Sequence, residues 1–279
     1  MWTMSAKACL FFYADVLGYR SFLEQLGTRG LHRLLSNAIA SVSTTVSITQ
    51  TATERRRSMN AKDPAGIRDF FRPLSEGDFS VFFAFDTLMV FLKDVRRGSL
   101  WGRFDFFLEF AATLYLTLLI RYHVPLRGVI TASESYMIGP RLITIREIDR
   151  CFQLEKAQDW SGTVIDFPHD ELTGLSDGFR LVDEPYLYYA VPFKSGSRDT
   201  LVLNPVTCRT LHMMKKRRLS LKTCAQWLCA ESQREDLQPE VRGKYLNTYT
   251  FLNDCISRYE TSVGICKPLY KGETFPNVP

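Results

Sequence analysis

Apolar positions along the chain change period several times, and those changes mark out its elements. Residues 7 to 15 form a short continuous apolar run ending at Asp15, the pattern of a strand buried on both faces. From Tyr19 to about Ala40 the period shifts: Phe22, Leu23, Leu26, Leu31, Leu34, Leu35 and Ile39 give a helical stripe, imperfect around Gly27 and Gly30. Residues 50 to 76 carry Arg55, Arg56, Arg57, Pro64, Gly66 and Pro73 without periodicity, and the expectation there is a long polar loop. "DFSVFFAFDTLMVFLKD" (78 to 94) reads as two strands joined tightly around Asp86 and Thr87.

The pattern continues with a helix over 100 to 122, a β-branched strand in "LRGVITASES" (126 to 135), and a helix with charges on one side over Ile143 to Gln158. A strand in "GTVIDF" (162 to 167) is closed by Pro168. The order is β-α-β-β-α-β and then α-β, which predicts an α+β, ferredoxin-like sheet with one further α-β unit. Beyond Pro168, "PYLYYAVPF" and "DTLVLN" predict a short hairpin, followed by helices at about 218 to 231 and 239 to 261. Two regions follow from this change of character: a core over 1–170 and a mostly helical C-terminal extension over 171–279.

Composition narrows the picture only a little. With 279 residues, 46% hydrophobic and 23% charged, the chain is an ordinary globular sequence long enough for a full-sized core. A formal charge of +5 tilts it toward anionic ligands, but a solvated basic surface accounts for it equally. "ERRR" (54 to 57) and "MMKKRRLSLK" (213 to 222) read as solvated faces, so nucleic acid is not an expected partner. Seven cysteines without a C-x-x-C pair or zinc spacing read as reduced thiols, and a cytoplasmic location is expected. The longest apolar run, Phe110 to Ile120, is too short to span a bilayer and predicts a buried or subunit-interface helix, so no membrane is expected.

The candidate chemistry lies in two aspartates. Asp15 stands where a buried strand gives way to a helix, either as a helix N-cap or as a ligand. Asp86 stands at a hairpin turn, where Asp is a common turn residue. In a ferredoxin-like sheet the end of strand 1 lies beside the central hairpin, so the two carboxylates converge. Like charges brought together need a cation between them, and a pair of divalent metal ions supplies it.

"FYADVLGYRSFL", "FAFDTLMVF", "LRGVIT" and "GPRLITIREIDRCFQLEKAQDWSG" fall in the order seen in class III nucleotidyl cyclases, which this chain resembles over roughly residues 7 to 170. The resemblance is closest to the compact bacterial cyclases of Pycsar anti-phage systems, which make cyclic pyrimidine nucleotides. It implies that Asp15 and Asp86 bind two Mg²⁺ or Mn²⁺ ions, with the Val16 carbonyl completing a metal shell. It also implies that the amides of Leu17, Gly18 and Tyr19 hold a nucleoside triphosphate, UTP ahead of CTP, at a helix N-terminus. The implied assembly is a homodimer with sites between subunits.

The family's purine-cyclase pattern is not matched throughout. Asp149 and Gln153 stand where those enzymes carry an Asn and an Arg, and neither supplies positive charge to a transition state. Arg127 leads the candidates for that role, because its "RG" matches the family strand. Phe82 stands where ATP-selective cyclases carry a Lys, and is either a base-stacking residue or part of the core. A catalytically degenerate nucleotide-binding or interaction module is the alternative these departures leave open.

Overall fold

The computed structural model describes residues 5–60, 79–84, 86–92, 100–138, 141–145, 147–167, 185–207, 210–211, 214 and 220–266. Eight strands form one sheet: β1 Ser5–Val16, β2 Phe79–Ala84, β3 Thr87–Leu92, β4 Leu126–Ile138, β5 Arg141–Ile145, β6 Thr163–Ile165, β7 Tyr186–Phe193 and β8 Gly196–Leu203. Five helices accompany it: α1 Tyr19–Asn60, α2 Leu100–Leu116, α3 Ile148–Ala157, α4 Leu221–Ser232 and α5 Pro239–Cys266. A single π-helical turn over Thr117–Arg121 prolongs α2.

The sheet runs β2-β3-β1-β4-β6-β8-β7, with β5 pairing β4 off that path. β1 is antiparallel to both β3 and β4, and β2 is antiparallel to β3. This is the ferredoxin-like order β2-β3-β1-β4, as the alternation of periods predicts. α3 then crosses over and returns the chain as β6, parallel to β4. The β7–β8 hairpin adds to the same sheet through Val164 and Val202, so the C-terminal region continues the sheet across residue 170.

Alternation along β1 sends its side chains into two separate cores. Leu10, Phe12, Ala14 and Val16 join Leu88, Val90 and Leu92 of β3, Ile130 of β4, and the inner faces of α1 and α2. Cys9, Phe11 and Tyr13 point the other way, with Phe91, Val129 and the α3 residue Cys151. The apolar run expected to be a buried helix is one: residues 106–119 are buried throughout.

Two expectations are corrected. Residues 50 to 60 are helical, the last part of α1, and 61–76, the rest of the expected loop, lie outside the described residues. No Pro or Gly interrupts residues 31 to 63, so nothing in the backbone stops the helix even though its apolar stripe fades. α1 does break at Gly27, whose φ of 66° and ψ of 167° are not helical. The helix expected from Ile143 begins at Ile148, because the β-branched Ile143, Thr144 and Ile145 pair with β4 as a strand. "MMKKRRLSLK" lies largely outside the described residues, and the side chains of "ERRR" do as well.

Among the described residues no helix is long and apolar enough to cross a membrane. Cys9, Cys151, Cys224, Cys229 and Cys255 are free thiols.

Candidate functional site

Strand register brings the key residues together at one end of β1. Asp15 lies opposite Thr87 of β3 on one side and Arg127 of β4 on the other. By parity its side chain leaves the sheet on the face that α3 covers, the same face as Tyr13, Val129 and Arg127. The hairpin apex is tied to this point, since the Val16 N–H donates to the Asp86 carbonyl at 2.8 Å. Asp15 and Asp86 therefore converge, close enough for the charge of Asp86 to act on the Asp15 carboxyl. The Thr87 hydroxyl sits beside Asp86 Oδ1 at 3.4 Å.

Asp15 is not the cap of α1. It belongs to β1, and the first turn of the helix closes on Gly18, whose carbonyl accepts from Phe22 N–H at 3.2 Å. Gly18 has a φ of +76°, the left-handed region that lets the chain leave the strand and enter the helix within two residues. The amide of Leu17 is spent on the Pro125 carbonyl at 3.0 Å. The turn therefore presents the amides of Gly18 and Tyr19, and Leu17 is corrected as an amide donor to a ligand.

Arg127 is 4% exposed, and each of its three nitrogens is engaged. Nε donates to Glu155 Oε1, Nη1 to the Gln158 carbonyl at 3.1 Å, and Nη2 to Asp15 Oδ2 at 3.3 Å. The guanidinium thus lies between two buried carboxylates, Asp15 and Glu155. Burial is the largest cause raising the Asp15 carboxyl above its ordinary range, and the Asp86 charge adds to it against the opposing pull of Arg127 and Lys156. Glu155 is also raised, again first by burial, with Arg127 opposing and Asp15 adding. Its second oxygen, Oε2, is buried with no partner among the described residues.

Gly128, next to Arg127, is required by close approach. A Cβ there would lie 2.6 Å from Phe12 Cε2 and 2.8 Å from the Tyr13 carbonyl oxygen. Its own N–H donates to the Gly162 carbonyl and its carbonyl accepts from Gln158 Nε2. Gln158 in turn accepts from Trp160 Nε1 at 2.8 Å, so the "QDW" segment is a structural brace behind the site.

Glu155 and Gln158 are the site residues that sequence reasoning missed. The signal was present: Cys151, Leu154, Glu155 and Gln158 fall at helical spacing along α3 and onto the residue that ends it, and two of the four are polar. Asp149 and Gln153 are exposed on the same helix, whereas Cys151 and Glu155 are buried. Phe82, on β2, is 42% exposed and meets the Phe91 ring at a centroid distance of 5.6 Å, the two planes nearly perpendicular.

No cluster of three or more His, Cys, Asp or Glu side chains that could hold a metal occurs among the described residues. Two convergent carboxyls are nevertheless what a hard divalent cation takes from a protein when water and phosphate oxygens complete its shell. Asp15 and Asp86 are oxygen donors of the kind Mg²⁺ and Mn²⁺ prefer.

No family model and no curated protein matches the chain. Among solved structures, the adenylyl cyclase CyaB from P. aeruginosa aligns at 17% identity, covering 72% of this chain and 95% of its own, with a TM-score of 0.42. The catalytic core of a rhodopsin-guanylyl cyclase with converted specificity, in complex with ATPαS, aligns at 9% identity over 72% and 98%, with a TM-score of 0.39. At this level the likeness assigns no family to the chain.

Proposed function

We propose that the chain is a metal-dependent nucleotidyl cyclase of the class III type. The observation that carries this reading is the convergence of Asp15 and Asp86 at the end of β1, one turn before the open N-terminus of α1. Asp15, Asp86 and the Val16 carbonyl would hold the divalent ions, Mg²⁺ or Mn²⁺. Such ions, when bound, lower the pKa of the ribose 3′-hydroxyl and offset charge on the phosphates. The amides of Gly18 and Tyr19, at the positive end of the α1 dipole, orient the triphosphate. Phe82 offers a ring face to a base, and a pyrimidine is the base this reading favours, UTP ahead of CTP. In the reaction the 3′-oxygen loses its proton and bonds to the α-phosphorus. The bond from that phosphorus to the bridging oxygen breaks, and pyrophosphate leaves.

The reading includes a cytoplasmic homodimer whose cyclic product acts as a second messenger in anti-phage defence, with a catalytic core over 1–170. Phe82, Ile148 and Phe152 leave apolar surface exposed on the side of the sheet that α3 covers, which supports a second subunit there.

Purified protein with Mn²⁺ and each of the four nucleoside triphosphates in turn is expected to yield a cyclic product from UTP or CTP. Asp86→Ala is expected to lower the rate by at least about a thousandfold, the scale of losing a metal ligand at a phosphoryl-transfer centre. Absence of product from all four triphosphates would defeat the proposal. One observation favours a second reading, a nucleotide-binding module without turnover. Arg127 is spent on Glu155, Gln158 and Asp15, and Asp149 and Gln153 carry no positive charge, so none of the three offers a free cation to the α-phosphate. That reading predicts thermal stabilisation by a triphosphate with no product.

A further inference from the structure

We propose that Arg127 is the resident counterion of Asp15, that Glu155 fixes it there, and that this pair sets how tightly Asp15 and Asp86 take up a divalent cation. The inference deepens the metal-dependent reading above and rests on it. It concerns residues that lie behind the donor set, not within it.

The geometry is asymmetric. Glu155 is completely buried, and its Oε2 has no partner among the described residues, so Arg127 supplies the neutralising charge for that carboxylate. Moving the guanidinium away would leave a bare buried anion, which is strongly unfavourable. The Gln158 carbonyl holds a second nitrogen at 3.1 Å, and Gln158 is itself braced by Trp160. Arg127 is therefore pinned on the α3 side. Its contact with Asp15 is the loose one, 3.3 Å through a single nitrogen, beyond the ordinary length of an N–H···O bond.

Asp15 is thus partly neutralised in the metal-free protein and still open toward Asp86. A single positive charge is shared by two carboxylates, so the share Asp15 receives depends on what Glu155 draws. Neutralising Glu155 gives Asp15 the full charge of Arg127, and an incoming dication then meets an uncompensated cation beside its ligand. Removing Arg127 has the opposite effect, leaving Asp15 and Glu155 both anionic near the metal. Glu155 and Arg127 are positioning residues: neither touches substrate, and both act through Asp15.

The test is a Mn²⁺ titration of the full chain without nucleotide, followed by calorimetry, for wild type, Glu155→Gln, Arg127→Met and the double variant. Glu155→Gln, nearly isosteric, is expected to weaken Mn²⁺ binding by about tenfold, the order given by one unit charge acting at a few ångströms through a partly buried site. Arg127→Met is expected to tighten it. In the Arg127→Met background, Glu155→Gln should have a clearly smaller effect, because its route through the guanidinium is gone. Thermal melts confirm that each variant is folded, and if Arg127→Met is not, the sign of the Glu155→Gln effect decides. Unchanged or tighter Mn²⁺ binding in Glu155→Gln overturns the inference and leaves the cyclase reading standing. Mn²⁺ binding with the expected changes but no cyclic product upholds the inference and removes the cyclase reading. A wild-type protein that takes up no Mn²⁺ overturns both.

Discussion

The two faces of the sheet use the same strands for different ends. On the face covered by α1 and α2, alternate residues of β1, β3 and β4 are aliphatic or aromatic, and the helices meeting them bury Phe104, Phe107, Phe110 and Leu114 completely. On the other face a smaller cluster of Phe11, Tyr13, Phe91, Val129 and Cys151 lies under one short helix. Beside that cluster sit Asp15, Arg127 and Glu155. The fully covered face stabilises the fold; the sparsely covered face holds charge near solvent without drowning it. One residue of register separates the two roles, since Ala14 and Val16 face the large core while Asp15 between them faces the site.

The largest break in this comparison is expected from the covered face. Phe107→Ala removes a ring with no solvent exposure, and a loss of about 4 kcal/mol in urea unfolding is expected, with the site's Mn²⁺ binding retained in the folded fraction. Next comes the charged cluster. Arg127→Met leaves two buried carboxylates without their cation and is expected to cost about 3 kcal/mol, most of which Arg127→Met combined with Glu155→Leu should recover. A loss under about 1 kcal/mol from the single variant would show the site face to be far wetter than its burial indicates.

A smaller effect is expected from pH. The native state holds a proton on Glu155 more tightly than the unfolded chain does, because burial raises the carboxyl above its ordinary value of 4.5. In that window the unfolded state binds fewer protons, so stability falls as pH rises from about 4.5 and levels off above the native pKa. Melting temperatures of metal-free protein should decline across this window, and Glu155→Gln should flatten the decline. Identical slopes in the two proteins would remove Glu155 as the cause. The smallest effect is expected at the rim of the sparse face. Phe82→Ala, at a residue 42% exposed, should change stability by less than about 1 kcal/mol while weakening triphosphate binding. A large stability loss with unchanged binding would make Phe82 a core residue.

Periodicity carried most of the fold. The switch from continuous apolar runs to helical stripes located β1, the β2–β3 hairpin, α2, β4 and the β7–β8 hairpin, and their order is enough to imply the ferredoxin-like sheet. Where it failed, the cause is specific. The end of α1 has no apolar stripe to reveal it, and β5 is too short for its alternation to be told from the start of a helix. At the site, the pairing of Asp15 with Asp86 followed from strand order. The capping alternative for Asp15 could be dismissed only once Gly18 was seen to close the first turn.

By itself, then, the sequence determined most of the order of elements and the meeting of Asp15 with Asp86, because each depends on local periodicity and on which strands must be neighbours; the second core under α3 it did not. Tertiary structure alone decided what surrounds that pair. Arg127 read as a free cation along the chain, yet it is 28 residues from Glu155 and 112 from Asp15 and bonds to both. The crossover of α3 onto the sheet makes that contact. Burial then converts three ordinary charged side chains into one coupled group, because an unpaired charge there would be too costly to keep.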